Sequence, residues 1–216
     1  MIDLHTHTLF SDGELVPAEL TRRAAVAGYR AIALTDHCDF SNMDLIIPRL
    51  VRVADDLGAD WGLTVIPGAE LTHIHPDRIA AAAHEARSLG ARLLVCHGET
   101  IAEPVAPGTN RAALEADIDI LSHPGLITNE EAKTAAERGI FLEITTRKGH
   151  SLTNGHVARM AQAHGARLVV NTDSHSPDDL VTLEKARNVA LGAGLCAEEF
   201  EQARRNSEEL VRKAKG

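Results

Sequence analysis

A chain of 216 residues, 44% hydrophobic and 25% charged, is long enough for the core of one folded domain, taken here as 1–216. A formal net charge of −9 argues against tight non-specific binding to duplex nucleic acid, which depends on basic side chains neutralising phosphates. Three scattered cysteines (Cys38, Cys96, Cys196), no signal-peptide pattern after Met1 and no apolar run near the roughly 20 residues of a membrane span point to a reducing cytoplasm and no membrane contact.

Short β-like apolar runs alternate with amphipathic segments along the whole chain. Ile2 to Leu4 is the first strand, followed by a helix with Pro17 in its first turn and Gly28 near its end. Ala31 to Leu34 is the second strand, before a helix over Leu45–Leu57 closed by Gly58. Leu63 to Ile66 is the third, stopping at Pro67-Gly68, and a helix from Pro76 to Leu89 ends at Gly90. Arg92 to Cys96, Ile118 to Leu121, Ile140 to Ile144 and Leu168 to Val170 supply strands four to seven. Helices over Asn110–Ala116, Asn129–Arg138 and Val157–His164 separate them, and the tail from Pro177 to Lys215 is mostly helical with a break near Gly192–Gly194. Strands that alternate with helices predict βαβ units and a parallel sheet. Seven such units without a composition break favour a closed or nearly closed α/β barrel over an open doubly wound sheet. No GxGxxG or GxxxxGK[ST] motif is present, so a dinucleotide or P-loop site lacks its usual signature.

The residues just after the strands carry the chemistry. His5 and His7 follow the first, Asp36 and His37 the second, Glu70 the third, His97 the fourth, His123 the fifth, and Asp173 and His175 the seventh. In parallel α/β folds the active site lies at the carboxyl ends of the strands, so these side chains are expected to converge on one rim. His5-Thr6-His7 leaves an extended segment with both imidazoles on one side. Such a pair alone is equally well two polar loop residues; the recurrence of further ligands favours metal. Imidazole with carboxylate suits Zn, Mn or Fe better than Mg or Ca.

In this order, His5-Thr6-His7, Ser11-Asp12-Gly13, Thr35-Asp36-His37, Pro67-Gly68-Ala69-Glu70, His97, Ser122-His123-Pro124 and Asp173-Ser174-His175 resemble the polymerase and histidinol phosphatase (PHP) superfamily, over nearly the whole chain. The resemblance implies a distorted (β/α)7 barrel with three divalent transition-metal ions. By position, His5, His7, Glu70 and Asp173 would hold the first ion. Glu70 would bridge to a second ion held by His97 and His123, and Asp12, His37 and His175 would hold the third. The Ser-Asp-Gly version resembles the branch that includes nucleotide phosphoesterases.

The implied activity is hydrolysis of a small phosphorylated metabolite, histidinol phosphate among the candidates, by metal-activated hydroxide, with Asp173, His175 and His37 as catalytic residues. A nucleotidase or phosphodiesterase on nucleoside bisphosphates or short single strands is the alternative. A metal-assisted C–N or C–O hydrolase ranks third, and a non-catalytic metal-binding scaffold is the reading outside enzymes. Single-strand binders combine basic grooves with stacking aromatics, and 3% aromatic content favours a small substrate. Arg147, Lys148 and His150, after the sixth strand, are the candidate phosphate contacts, with Arg147 favoured for its two-pronged geometry. A solvated basic loop is the bland alternative.

Other polar residues read as support. Asp36 is expected to be a ligand itself or, preferentially, to orient a ligand imidazole. Glu143, inside the sixth strand, is a candidate to face the barrel interior, where a buried carboxylate needs a partner. Support of a ligand is a plausible role for it but none is assigned, and Glu99 and Glu103 line a loop. His73 and His75 are expected on the rim, and His84 and His164 on helix surfaces.

Overall fold

The computed structural model describes all 216 residues, Met1–Gly216. Its strands are β1 (Ile2–Asp3), β2 (Ala31–Leu34), β3 (His37–Cys38), β4 (Thr64–Leu71), β5 (Leu93–His97), β6 (Ile120–Ser122), β7 (Phe141–Thr145) and β8 (Leu168–Asn171). The helices are α1 (Pro17–Val26), α2 (Met43–Trp61), α3 (Ile79–Ser88), α4 (Thr109–Glu115), α5 (Asn129–Arg138), α6 (Asn154–His164), α7 (Leu183–Gly192) and α8 (Ala197–Lys215). All pairings are parallel, in the order β1-β2-β4-β5-β6-β7-β8, with β3 added beside β4. Seven strands thus nearly close into a barrel, as the alternation of elements predicts.

The seam lies between β1 and β8, where a regular ladder is missing. A single bridge pairs Thr6 with Ser174. His7 N donates to Ser174 O at 2.8 Å, and Asp173 N to His5 O at 3.0 Å. Lower down, side chains take over. Leu4 N donates to Asn171 Oδ1 at 3.0 Å, and the buried Asp3 carboxylate accepts from Thr172 N and Thr172 Oγ1 at 3.1 and 2.6 Å. Buried backbone donors need partners, and these residues supply them where the sheet does not.

Most boundaries shift by one to three residues from the sequence reading and the short β3 is not expected from it, but two boundaries differ most. The third barrel strand does not stop at Ile66 but runs through Pro67-Gly68 to Leu71, so Glu70 lies within it. Pro67 sits one residue before the β4–β5 ladder begins at Gly68–Leu93, so its missing N–H breaks no ladder bond. A Cβ on Gly68 would lie 2.7 Å from Leu93 O and 2.9 Å from Thr35 Cγ2, which only glycine avoids. Helix α2 likewise continues past Gly58 to Trp61, and Gly62 (φ 70°) supplies the left-handed cap.

Two apolar layers hold the barrel. Outside, a large cluster joins Ile32, Leu34, Leu94, Cys96, Leu142 and Ile144 to the helices. Those helices present alanines, such as Ala82, Ala83 and Ala86 of α3 and Ala158 and Ala161 of α6, which lets them pack closely without aromatic bulk. Inside, Leu4, Ala33, Ile66, Val95, Phe141 and Val169 fill the floor, and Leu210 and Ala214 of α8 plug it from below. Asp119, at that amino-terminal end, accepts from Arg87 Nη2, Lys213 Nζ and Leu94 N at 2.7, 2.7 and 2.9 Å.

Candidate metal centre

The two-residue period of the strands places polar groups directly above the apolar floor. On β5, Leu93 and Val95 belong to the inner cluster and His97 continues that face, while Leu94 and Cys96 join the outer layer. On β7, Phe141 points inward and Glu143 stands above it; on β8, Val169 is followed by Asn171. These three strands therefore change from apolar to polar as they rise to the carboxyl end. Beyond the strands, His123 (φ 25°) and Asp173 (φ 53°) hold left-handed backbone conformations rare for non-glycine residues, as does His73 (φ 52°).

All nine predicted ligands converge. Candidate ligand atoms of His7, Asp12, His37 and His175 lie within 4.8 Å of one another, as do those of His5, His7 and Glu70, of Glu70, His97 and His123, and of His5, His123 and Asp173. Glu70 is the hub. Its Oε1 lies 3.2 Å from His5 Nε2 and 3.7 Å from His123 Nε2; its Oε2 lies 2.8 Å from His37 Nδ1 and 3.7 Å from His7 Nε2. Asp173 Oδ1 approaches His7 Nε2 at 3.2 Å and His5 Nε2 at 3.7 Å. Asp12, the most exposed of the nine, reaches His175 Nε2 at 3.2 Å and His37 Nε2 at 3.5 Å.

Neighbours fix several imidazoles so that Nε2 faces the centre. His5 Nδ1 meets Glu143 Oε2 at 2.9 Å, His97 Nδ1 donates to Gly98 O at 3.1 Å, and His175 Nδ1 donates to Asp173 O at 2.9 Å. Several of these buried atoms have no partner in hydrogen-bond geometry: His5 Nε2, both ring nitrogens of His7, His123 Nδ1 and Asp173 Oδ1. Buried polar atoms without partners are costly, and a set of imidazole nitrogens and carboxylate oxygens is what transition-metal cations bind. The residues fit divalent cations.

Without cations, these groups distort one another's protonation. Burial alone would push Glu70 up, but the His5, His37 and His97 imidazoles hold it well below the usual carboxylate range. Burial pushes Asp173 up to about 7; His5 pulls it back while Glu70 pushes it further. Burial would lower His5, yet Glu143, Glu70 and Asp173 outweigh it and hold the imidazole well above its usual value. His7 and His123 are held well below theirs, first by burial and then by neighbouring imidazoles.

The supporting residues divide differently from expectation. Asp36 orients no ligand imidazole. It accepts from Thr8 N and Ser11 N at 2.7 and 3.1 Å and from both hydroxyls, pinning the loop after β1 that carries Asp12. Glu143 takes the role expected of Asp36, because the alternation of β7 turns it inward under His5. Glu99 is a loop anchor, its Oε1 accepting from Gly108 N and Asn110 N at 3.0 and 2.9 Å. Gly125 (φ 62°) closes over that loop; a Cβ there would lie 1.8 Å from Glu99 O. Glu103 does more than line a loop: it touches His97, His150 and His73 at 3.2, 3.3 and 3.4 Å. The sequence signal for it was weak, a carboxylate six residues after a ligand.

The phosphate-contact candidates separate. His150 is buried at the centre, its ring stacked on His123 at 4.3 Å and its Nε2 4.0 Å from Asp173 Oδ2. Arg147 is half-buried and pairs with Asp179 at 3.0 Å, while Lys148 is exposed. His73 joins the rim, whereas His75 stands on an exposed turn beside Asp77, and His84 is exposed on α3. An open cleft of about 360 Å³ borders the cluster, lined by Asp12, His37, Asp39, Asn42, Thr72 and Glu103 among others.

Comparison with known proteins agrees with this geometry. The PHP domain family matches residues 3–100. The chain is 51% identical to the uncharacterized protein MJ1295 of Methanocaldococcus jannaschii over 201 residues, covering 92% of each. Among solved structures it is similar in fold to histidinol phosphate phosphatase from Lactococcus lactis, complexed with zinc, L-histidinol and phosphate (TM-score 0.64, 18% identity, 90% of this chain and 94% of that one). It also resembles the metal-dependent tyrosine phosphatases YwqE from Bacillus subtilis and CpsB from Streptococcus pneumoniae (TM-score 0.68, 18% identity, 99% of this chain and 95% of that one). Sequence motifs, barrel and ligand cluster lead to one assignment: this chain belongs to the PHP family.

Proposed function

We propose that this protein is a metal-dependent phosphomonoesterase acting on a small phosphorylated metabolite. The observation that carries the reading is the convergence of nine His, Asp and Glu side chains, with buried ring nitrogens and the Asp173 Oδ1 oxygen left without hydrogen-bond partners. His5, His7, Glu70 and Asp173 would hold one cation, Glu70, His97 and His123 a second, and Asp12, His37 and His175 a third. Zn, Mn and Fe suit that donor set. Such cations supply Lewis acidity toward a phosphoryl group and acidify a water near neutral pH.

The chain's own residues do the rest. Glu143 keeps the His5 Nδ1 proton engaged so that Nε2 stays free. Thr100 Oγ1 lies 2.7 Å from His150 Nδ1 and accepts from Ala102 N, which favours the tautomer with the proton on Nε2. His150 Nε2 can then donate to a phosphoryl oxygen. Arg147, held by Asp179 next to the His175 backbone, would contribute charge from the rim. Asp173, His175 and His37 border the reacting position and are the candidate catalytic residues.

A small leaving group suits the cleft, whose lining has no Phe, Tyr or Trp on which a nucleobase could stack. The solved phosphatases similar in fold act on a histidinol phosphate and on tyrosine phosphate, which supports monoester over diester chemistry. No helix is long and apolar enough to cross a membrane.

The test is phosphate release by protein reconstituted with Zn, Mn or Fe. The panel holds histidinol phosphate, nucleoside monophosphates, nucleoside 3′,5′-bisphosphates and bis(p-nitrophenyl) phosphate. Metal-dependent turnover of monoesters with little diester cleavage is expected. Preferential cleavage of the diester or bisphosphates would support the nucleotidase reading, and tight metal binding without any turnover the scaffold.

A further inference from the structure

Glu103 lies outside the nine-ligand set, yet it is the carboxylate that closes the mouth of the centre. Its Oε2 is 3.2 Å from His97 Nε2 and 3.4 Å from His73 Nε2, and its Oε1 is 3.3 Å from His150 Nε2. Three imidazoles, one at the end of β5 and two on the connections after β4 and β7, therefore aim one nitrogen each at a single anionic group. His97 donates Nδ1–H to Gly98 O, so its Nε2 presents a lone pair, which a carboxylate does not satisfy. A proton on Nε2 or a cation shared between the two groups completes the arrangement. Candidate ligand atoms of His73, Glu103 and His97 lie within 4.8 Å of one another, as do those of Glu70, His97 and His123. His73 also holds a strained left-handed backbone (φ 52°), as His123 and Asp173 do.

We propose that Glu103 is a displaceable ligand of the cation held by Glu70, His97 and His123, and that it occupies the place a substrate phosphoryl group takes. This rests on the phosphoesterase reading. A carboxylate and a phosphoryl group make the same demands: negative oxygens toward a cation, and an acceptor for the His150 Nε2 proton. The chain around Glu103 suits exchange. Glu99 ties its base to the start of α4, while residues 101–107 are exposed or half-buried, and Glu103 itself is 39% exposed at the side chain. A carboxylate built on this arm can leave without breaking the barrel. No covalent bond is made or broken in the exchange; the coordination bond from Glu103 would give way to one from a phosphoryl oxygen, and one anion replaces another.

The experiment uses the full chain with cations in matched, saturating amounts, and inorganic phosphate as the probe. Phosphate binding is followed by calorimetry in the wild type, in Glu103→Gln and Glu103→Ala, and in Asp77→Asn as an exposed control. If the carboxylate fills the position about nine-tenths of the time, removing it tightens phosphate about tenfold. Both Glu103 variants should show this and the control should not. Unchanged or weaker phosphate binding in the two variants overturns the assignment. Turnover separates the two readings. If phosphate tightens in the variants but the wild type hydrolyses no ester, the arm is as assigned and the phosphoesterase reading fails. If esters are hydrolysed and phosphate ignores the substitutions, Glu103 is no such ligand.

Discussion

Replacing Glu143 by glutamine tests whether the centre is tuned from beneath. Glu143 and His5 are both fully buried, with Oε2 2.9 Å from His5 Nδ1 and accepting from Asn171 Nδ2 at 2.9 Å. A glutamine carbonyl placed where Oε2 stands keeps both hydrogen bonds, so the exchange removes mainly the charge that makes the His5 ring a stronger donor to a cation. Carboxylates behind ligand histidines are worth about 10- to 100-fold in metal affinity, or about 1.4–2.8 kcal/mol. The new amide falls where Oε1 has no partner, which costs the fold about 1–3 kcal/mol as an unpaired buried donor. Two assays separate these effects. Chelator competition should show the loss of cation affinity, and urea denaturation of the cation-free protein the loss of stability. Cation affinity within twofold of wild type would refute the idea that Glu143 tunes His5.

In the cation-free protein Asp173 is pushed up to about 7, so it holds a proton below that pH which an incoming cation must displace. Affinity should fall at least about fivefold between pH 7 and pH 6 and go on rising above neutrality, because His5, held well above its usual value, must give up a proton as well; calorimetry in buffers of different ionisation heat should show proton release, and a flat profile from pH 6 to 8 would contradict this. Arg147→Ala is expected to raise KM about tenfold with little change in kcat, since Arg147 stands at the rim rather than among the ligands; unchanged steady-state kinetics would return Arg147 to the role of a surface ion pair. At the far end of the barrel, Asp119→Ala strands Arg87, Lys213 and Leu94 N and should cost about 2 kcal/mol in urea unfolding. Cation affinity should not move, because the ligands sit at the opposite rim.

The alternation of apolar runs with capped helices is a local property, and it made the barrel and most of its boundaries legible from residue order alone. So were the nine ligands, because a parallel barrel delivers the residue after each strand to one rim whatever the details of packing. Three things depended on distance in space. The third barrel strand passes through Pro67-Gly68, which reads locally as a turn, because β5 begins pairing only at Gly68 and leaves the Pro67 position without a ladder bond to lose. Glu143 took the role expected of Asp36 because strand register, unseen in the linear order, turns Glu143 up beneath His5, while Asp36 meets the loop after β1. Glu103 and His150 became part of the centre only when separate connections folded over the same mouth, 47 residues apart in the chain and 3.3 Å apart in the molecule. Ligand identity could be read from position along each strand; which carboxylate serves which imidazole is decided by the barrel's closure, since closure brings together side chains that no local pattern relates.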